Sequence, residues 1–208
     1  MGEGEMRGLA GKHVIVTGSG SGIGREIAKR FAEEGAVVAL FDINAEGASE
    51  TLGMIEKNGG RGIAYTVDIT DRDAVNRAVD EAEKVAPIDV LVNNAGWDKL
   101  VNFLDSDVDL WKKVIDINLY GALYMHHAVL PGMVKNGGGR VINISSDAGR
   151  VGSSGEAVYS ACKGGLIAFS KTVARELARA GVQINTVCPG PTDTPLFASV
   201  ADGPAADK

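Results

Sequence analysis

Short apolar runs rich in β-branched residues alternate along the chain with longer segments of helical spacing. Most of these runs show no alternation of polar and apolar positions; they are residues 13–17, 36–41, 62–67, 88–92, 140–144 and 182–187. Strands that are buried on both faces have this pattern, as in a parallel sheet covered by helices. The pattern therefore predicts six strands of one parallel sheet.

Between the runs, apolar residues recur three and four positions apart, which is the spacing of one helix face. The segments with this spacing are 23–31, 74–82, 107–135 and 157–180. Thr70 or Asp71 is the expected N-cap of the second segment, and Gly181 follows the last, as glycine often follows a helix. Strand–helix alternation with right-handed crossovers predicts a doubly wound α/β fold of three layers, formed as a single domain over residues 1–208.

Composition narrows the choice of partners. The chain has 208 residues, of which 45% are hydrophobic and 23% charged, as in an ordinary globular domain. Its net charge of −6 argues against a nucleic-acid partner. No stretch is long and apolar enough to predict a membrane span. The two cysteines, Cys162 and Cys188, do not make a disulfide framework and suit a reducing cytoplasm.

A glycine-rich loop, residues 17–24, follows the first predicted strand and opens a helix. Backbone N–H groups at a helix start, together with the helix dipole, favour a bound pyrophosphate. In this interpretation Gly18 permits the turn, Gly22 allows close approach of a cofactor, and Gly24 lets helix and strand pack. The alternative is a strand–helix turn that binds nothing.

Asp42 ends the second predicted strand, near the separation of about 20 residues from the loop that is expected of a ribose-binding acid. Its carboxylate can accept hydrogen bonds from ribose hydroxyls and would repel a 2′-phosphate. Ser19 and Ser21 in the loop offer no compensating positive charge, so NAD is favoured over NADP. The alternative is that Asp42 only caps the next helix.

Further motifs follow in a fixed order. Asn93-Asn94-Ala95-Gly96 comes after the fourth strand, Ser146 precedes Tyr159-x-x-x-Lys163 by 13 residues, and Pro189-Gly190 follows the sixth strand. With the glycine loop, these motifs resemble the short-chain dehydrogenase/reductase family over nearly the whole chain. The resemblance implies a Rossmann-type sheet and hydride transfer between NAD and a secondary alcohol or ketone.

The expected catalytic residues are Ser146, Tyr159, Lys163 and Asn118. A tyrosine is a poor base at neutral pH, but an adjacent ammonium and an oxidised nicotinamide would lower the pKa of Tyr159. Tyr159 is then the general base for alcohol oxidation, and Ser146 stabilises the substrate oxygen. Ser145 is the alternative serine. The resemblance implies that Asn118 holds a water near Lys163; the alternative is a solvated helix position.

The resemblance also implies a cofactor-binding set drawn from the loops at the strand ends. Lys163 would hold the nicotinamide ribose, Asp68 the adenine and Thr194 the carboxamide. The full set is Gly18, Ser21, Gly22, Ile23, Gly24, Asp42, Asp68, Ile69, Asn94, Ala95, Gly96, Tyr159, Lys163, Pro189, Gly190 and Thr194. No metal is expected, because the adjacent His126 and His127 face different sides of a helix.

Residues outside the shared motifs are expected to select the substrate. The candidates are Trp97, Asp147, Val151 and Glu156, with Trp97 and Val151 forming an apolar wall; a solvated surface role is the alternative for Glu156. The stretches around them resemble dehydrogenases of cyclic β-hydroxyacyl-CoA thioesters. A 3-oxoacyl thioester reductase or another short-chain alcohol dehydrogenase is the alternative enzyme. A non-catalytic NAD-binding regulatory protein is the alternative of another class.

The sequence ends at Lys208, before the lid, helix and seventh strand that usually follow in the family. The resemblance therefore implies that this chain lacks those C-terminal elements. It also implies a homo-oligomer, typically a homotetramer, with one subunit face formed by the helices around 114–125 and 166–177.

Overall fold

The computed structural model describes residues 8–201, and of residues 199–201 only the backbone. The predicted domain also included 1–7 and 202–208, which lie outside the described residues. Within 8–201 the chain forms one parallel sheet of six strands in the order β3-β2-β1-β4-β5-β6. The strands are β1 (His13–Thr17), β2 (Val37–Asp42), β3 (Arg61–Thr66), β4 (Val90–Asn93), β5 (Gly139–Ile144) and β6 (Val182–Val187).

Helices connect the strands and cover both faces of the sheet. They are α1 (Gly22–Glu33), α2 (Ala45–Lys57), α3 (Arg72–Glu83), α4 (Val108–Ile115), α5 (Gly121–Lys135), α6 (Ala148–Val151), α7 (Ala157–Glu176) and α8 (Pro195–Ala201). A π-helical turn, Asp116–Tyr120, joins α4 to α5, and single 3₁₀ turns lie at Phe103–Asp105 and Ala178–Ala180. The doubly wound, three-layer fold predicted from the sequence is confirmed.

The sheet is buried on both faces because successive residues of its strands point into two separate cores. Ile15 packs with α3 and α5, whereas Val14 and Val16 pack with α1 and α2. All of β1 is buried, including the polar residues His13 and Thr17. This arrangement explains the continuous apolar runs, since neither face of a central strand meets water.

Helix α2 and the residues that cap α2 and α3 differ from, or decide between, the sequence predictions. Helix α2 had not been predicted; its buried face consists of Gly47, Ala48, Thr51 and Ile55, which are too small or polar to form an obvious stripe. Asn44 caps it by accepting the N–H groups of Glu46 and Gly47, so the alternative in which Asp42 caps this helix is wrong. Of the two caps proposed for α3, Asp71 is the one used.

Residues 108–135 are helical throughout, with Asp107 as the N-cap, but they do not form one regular α-helix. The π turn between α4 and α5 shifts the register of the helix and buries Asn118. π turns inside helices are frequent at functional sites. Within residues 8–201 no helix combines the length and apolar character that crossing a bilayer requires.

Candidate active site

The glycine loop packs tightly between β1, α1 and the end of β4. Gly18 and Gly22 have positive φ angles of 64° and 52°, which favour glycine. A Cβ on Gly24 would lie 2.0 Å from the Gly18 carbonyl oxygen, and one on Gly18 would lie 2.8 Å from the Cα of Ala95. The sequence requirement for glycine at these positions is therefore steric.

The start of α1 is open to an anion. Ser21 is its N-cap, but the Ser21 side chain accepts no hydrogen bond from the first turn, and that turn holds no acidic side chain. Backbone N–H groups there carry the positive end of the helix dipole. Gly22 faces the Thr194 side chain across this helix start, since a Cβ on Gly22 would lie 3.5 Å from Thr194. The loop, with Ile23 beside it, fits a dinucleotide pyrophosphate.

Asp42 lies beside this loop at the end of β2. Its Oδ2 accepts the N–H of Gly20 over 2.7 Å, and its Oδ1 accepts the N–H of Asn44 over 2.8 Å. The carboxylate is half-buried and fixed, at the position where a ribose would follow a pyrophosphate. Arg25 is the nearest cation of α1, and it is bonded to Glu50, Thr51 and the Gly20 carbonyl.

Asn94 fastens the end of β4 to the end of β1. Its side-chain amide donates to the carbonyl oxygens of Thr17 at 3.0 Å and of Gly18 at 3.2 Å. In return the Thr17 hydroxyl accepts the N–H groups of Asn94 and Ala95, both at 3.0 Å. These hydrogen bonds therefore join the loop after β1 to the loop after β4 at this edge of the sheet.

Ser145 and Ser146 follow β5 but point to different partners. The Ser145 hydroxyl is buried and donates to the Lys163 carbonyl oxygen over 2.9 Å. The Ser146 hydroxyl accepts the N–H of Ala148 over 3.1 Å and lies near the Tyr159 hydroxyl, whose pKa it lowers. Because Ser145 is turned into the protein, Ser146 is the serine that can contact a substrate bound at Tyr159.

Lys163 lies one helical turn after Tyr159 on α7. Its Nζ is 5.4 Å from the centre of the Tyr159 ring and donates to the Ile144 carbonyl oxygen over 3.1 Å. Burial lowers the pKa of Lys163 to about 8, against the attraction of Asp98. The helical spacing of four residues thus places the ammonium behind the phenol.

The pKa of Tyr159 differs from the sequence expectation. Burial raises it to about 12, and Glu156 and Asp98 add to the rise, while the hydrogen bond from Ser146 lowers it. The predicted lowering of the Tyr159 pKa was based on nearby charges alone. Desolvation by burial, which that prediction left out, is the larger effect in this structure. Tyr159 is a protonated phenol at neutral pH in the protein alone.

Asn118 is 1% exposed, so its alternative as a solvated helix position is wrong. Its amide donates to the Trp97 carbonyl oxygen at 2.6 Å and to that of Val114 at 2.9 Å, and its Oδ1 accepts the Trp97 N–H at 3.3 Å. A Cβ on Gly96 would lie 2.9 Å from Asn118 Oδ1 and 3.3 Å from Lys163 Nζ. Asn118 and Lys163 therefore converge on Gly96.

The remaining cofactor candidates line the same edge of the sheet. Asp68 accepts both the N–H and the hydroxyl of Thr70, and Ile69 packs against Gly121. The Pro189 carbonyl oxygen accepts the N–H of Asp147 over 2.9 Å, and Gly190 is exposed beside it. Thr194 reaches Gly22. The structure thus brings the predicted cofactor set to the carboxyl ends of the strands, where doubly wound folds bind ligands.

A cleft opens beside Tyr159 between α4 and the start of α7. Its lining is mainly apolar and includes Val101, Phe103, Leu110, Trp111, Val114 and Val158, together with the acids Asp98 and Glu156. Phe103 and Trp111 stack with ring centres 5.1 Å apart and 7° between their planes, and the Trp111 indole donates to Ser106. The stacked pair gives the cleft a flat apolar wall.

Three of the four predicted substrate residues, among those that the structure describes, lie outside this cleft. Among the described residues, neither Trp97 nor Val151 lines the cleft: Trp97 lies beneath the Lys113 ammonium at 3.8 Å, and Val151 is 74% exposed. Asp147 forms an exposed ion pair with Arg150. This cleft is therefore lined by Trp111 of α4 and not by Trp97 and Val151, whose role as a substrate wall stays a prediction.

Sequence reasoning missed Asp98 as a site residue. It is 7% exposed, lines the cleft with Tyr159, and burial raises its pKa to about 7, with Glu156 adding to the rise. A single acidic residue two positions after the Asn93–Gly96 motif does not indicate that its side chain is buried beside Tyr159. Glu156, which lines the cleft together with Asp98, was predicted only as a substrate-selecting residue.

Other reactive side chains have structural surroundings. Cys162 is buried, and burial raises its pKa to about 11, so it is a packed thiol. His126 is buried and His127 exposed, as expected of adjacent helix positions. In the part of the chain that the structure describes, no three His, Cys, Asp or Glu side chains are grouped as metal ligands.

Comparison with known proteins agrees with this geometry. The profile of the family described as short chain dehydrogenase matches residues 12–205. The chain is 38% identical over 192 residues to a 3-oxoacyl-[acyl-carrier-protein] reductase of Thermotoga maritima, covering 90% of this chain and 77% of that protein. It is 37% identical over 190 residues to a 2-dehydro-3-deoxy-L-rhamnonate dehydrogenase (NAD(+)) of a Sphingomonas species, covering 90% and 75%.

A solved structure, a putative short-chain dehydrogenase/reductase from Burkholderia xenovorans, superimposes with a TM-score of 0.90 at 34% identity, covering 95% of this chain and 78% of that one. The fold and the site thus define an oxidoreductase of the doubly wound, dinucleotide-binding class. Within that class, the chain belongs to the short-chain dehydrogenase/reductase family and is an enzyme of it.

Proposed function

We propose that this enzyme is an NAD-dependent dehydrogenase of secondary alcohols in which Tyr159 carries the proton. The observation that supports this best is the convergence of Ser146, Tyr159 and Lys163 between an apolar cleft and the glycine loop. When bound, NAD supplies the hydride acceptor; Gly18, Gly22 and Asp42 would hold it. The place of the chain among dehydrogenases and reductases argues against a non-catalytic regulatory protein.

The chain's own residues divide the proton chemistry. The Ser146 hydroxyl, next to Tyr159, donates to the substrate oxygen and orients it. Tyr159 accepts the hydroxyl proton during alcohol oxidation and returns it during ketone reduction. Since burial holds the Tyr159 pKa near 12, phenolate needs a positive charge beside it, and Lys163 is the cation of this chain placed behind the ring.

Asp42 supports NAD as the cofactor. A fixed carboxylate at the ribose position repels a 2′-phosphate. The Arg25 guanidinium, which also donates to the Gly20 carbonyl oxygen of the loop, is already paired with Glu50 and bonded to Thr51. The sequence also resembles 2-hydroxycyclohexanecarboxyl-CoA dehydrogenase, which points to a cyclic β-hydroxyacyl-CoA as the substrate. The flat wall of Phe103 and Trp111 suits a compact ring, while Glu156 disfavours a free carboxylate.

A substrate panel tests this proposal. We expect kcat/KM to be higher for 2-hydroxycyclohexanecarboxyl-CoA than for straight-chain 3-hydroxyacyl-CoA, 3-hydroxyacyl carrier protein or simple sugars. Leu110→Ala, which opens the cleft, should reduce that preference several-fold. Leu104→Ala is the matched control because Leu104 is 93% exposed. Equal or better turnover of the linear thioesters would support the alternative of a 3-oxoacyl thioester reductase.

We also propose that the chain forms a homo-oligomer, as the family resemblance implies. Val108, Tyr120 and Val134, on the helical stretch from α4 to α5, are large apolar residues with 53%, 45% and 42% exposure. A second subunit would cover them. Light scattering tests this proposal: a monomer at micromolar concentration would reject it.

A further inference from the structure

Two carboxyl groups, Asp98 and Glu156, lie together at the end of the cleft beside Tyr159. Asp98 comes from the loop after β4 and Glu156 from the residue before α7. The Val101 N–H donates to the Gly155 carbonyl oxygen over 2.9 Å, and a Cβ on Gly155 would lie 3.0 Å from Leu100. The backbone therefore holds the two loops, and with them the two acids, against each other.

Neither acid has an ordinary structural role. Glu156 stands at the N-cap of α7, but its side chain accepts no capping hydrogen bond from the helix. Asp98 Oδ2 is buried and, within the described part of the chain, has no hydrogen-bond donor. A buried carboxylate oxygen without a donor is costly, and two adjacent carboxylates repel each other. A proton shared between them relieves both costs at once.

The surrounding charges agree with a shared proton. The groups that face Asp98 are Lys163, Tyr159 and Cys162 from α7, Glu156, and the backbone N–H of Lys99. Lys163 is the one cation among them, and its Nζ donates to the Ile144 carbonyl oxygen. Lys113, the nearby cation on α4, lies over the Trp97 ring.

We propose that Asp98 and Glu156 act as one acid pair that shares a single proton and thereby fixes the Asp98 loop against α7, beside the phenol of Tyr159. This goes beyond the proposed function, because it assigns positioning residues that neither the family motifs nor the substrate choice requires. With the proton present, the cleft is closed by a carboxyl–carboxylate hydrogen bond. When the proton leaves, two negative charges face each other, the loop junction loosens, and substrate binding weakens.

The first test needs no activity and uses the protein without cofactor. Titration of phenolate absorbance, with Tyr159→Phe identifying the contribution of Tyr159, measures the Tyr159 pKa. Since both acids raise that pKa, Asp98→Asn and Glu156→Gln should each lower it measurably. Asp109→Asn is the control, because Asp109 is an exposed acid of α4 outside the cleft. An unchanged Tyr159 titration in both pair variants would overturn the proposal.

The second test follows KM and kcat separately through neutral pH with the best alcohol substrate. In the parent enzyme KM should rise several-fold as the pair loses its proton, which the Asp98 pKa of about 7 places near neutrality. Asn or Gln can donate an amide N–H to the remaining carboxylate at every pH, so Asp98→Asn and Glu156→Gln should remove that rise. Persistence of the same rise in both variants would overturn the proposal. Inactive protein with a normal phenolate response would reject only the proposed function.

Discussion

The backbone N–H of Gly20 donates to the carboxylate of Asp42 over 2.7 Å, which joins the glycine loop to the end of β2. A Cβ on Gly20 would lie 2.9 Å from the same carboxylate oxygen. The acid that we propose to select the cofactor is therefore also a structural partner of the loop proposed to bind its phosphates. Substitutions at Asp42 act on charge and on loop geometry together.

We expect NAD(H) to bind more tightly than NADP(H), and Asp42→Ala to narrow the difference by about tenfold or more, since about 1.4 kcal/mol corresponds to tenfold. Asp42→Asn is the matched variant, because its one amide oxygen keeps an acceptor for the Gly20 N–H while the charge is removed; it gives up the acceptor for the Asn44 N–H. Fluorescence titration with both cofactors measures the change. Equal affinities in the parent protein would contradict the assignment of Asp42.

The neighbouring serines after β5 should separate catalysis from structure. Ser146→Ala removes the hydroxyl beside Tyr159 and should lower kcat by about 10²-fold or more, as loss of one oxyanion donor does, with little change in melting temperature. Ser145→Ala removes the side-chain donor to the Lys163 carbonyl oxygen, which keeps its bond within α7, and should lower stability by about 0.5–1.5 kcal/mol. Kinetics and denaturant unfolding of the two variants measure this contrast. A larger loss of kcat in Ser145→Ala would reverse the assignment.

Alanine substitutions at Gly24 and Gly53 should have opposite effects on stability, because a Cβ collides with its neighbours at Gly24 and meets open space at Gly53. A Cβ at Gly24 would lie 2.0 Å from the Gly18 carbonyl oxygen, so Gly24→Ala should lower stability by about 1–3 kcal/mol or more and abolish NAD binding. At Gly53 in α2 a Cβ meets nothing within 4 Å, so Gly53→Ala should stabilise by about 0.5–1 kcal/mol. Thermal unfolding measures both. A stable, NAD-binding Gly24→Ala protein would refute the packing argument.

A buried polar cluster around His126 should make stability depend on pH. His126 Nδ1 lies 2.7 Å from the Ala122 carbonyl oxygen and Nε2 lies 3.2 Å from the Asn143 amide, and burial lowers the pKa of His126. The unfolded chain, with a His pKa of about 6.5, therefore binds this proton first. The contribution is fully present above about pH 6.5 and is lost as pH falls toward the lowered folded value.

The measurement is the difference in unfolding free energy between the parent and His126→Gln across this pH range. The difference cancels other titrating groups, including Asp98, whose raised pKa works in the opposite direction. We expect the advantage of the parent to shrink as pH falls below about 6.5. An advantage that stays constant or grows would show that His126 is not held neutral.

The sequence was most informative where one physical requirement dominates. β1 was placed correctly because a strand buried on both faces must be apolar, and Gly18 and Gly24 because no other residue fits between β1 and α1. The apolar pattern does not predict helix α2, because its buried face consists mainly of small and polar residues. Burial raises the pKa of Tyr159 in the protein without cofactor, an effect that the predicted lowering left out because burial cannot be judged from neighbouring charges along the chain.

Long-range pairing set the other limit on prediction. The sequence is compatible with both a solvated and a functional role for Asn118. The π turn decides between them, because it directs the Asn118 side chain inward to the Trp97 carbonyl oxygen. Asp98 and Glu156 lie far apart in sequence, and their meeting depends on the contact between Val101 and Gly155. Such pairs depend on loop geometry, which apolar periodicity does not encode.

In the proposed function, Tyr159 carries the proton in NAD-dependent alcohol oxidation. Tyr159→Phe keeps the ring and its packing while removing the hydroxyl, so NAD should bind as in the parent while kcat falls by about 10²–10⁴-fold. The direct measurement is NADH formation from NAD and a cyclic β-hydroxyacyl-CoA by the parent and the variant side by side. Loss of turnover with unchanged NAD binding is the predicted result. Retention of most of the parent rate in Tyr159→Phe would contradict the account.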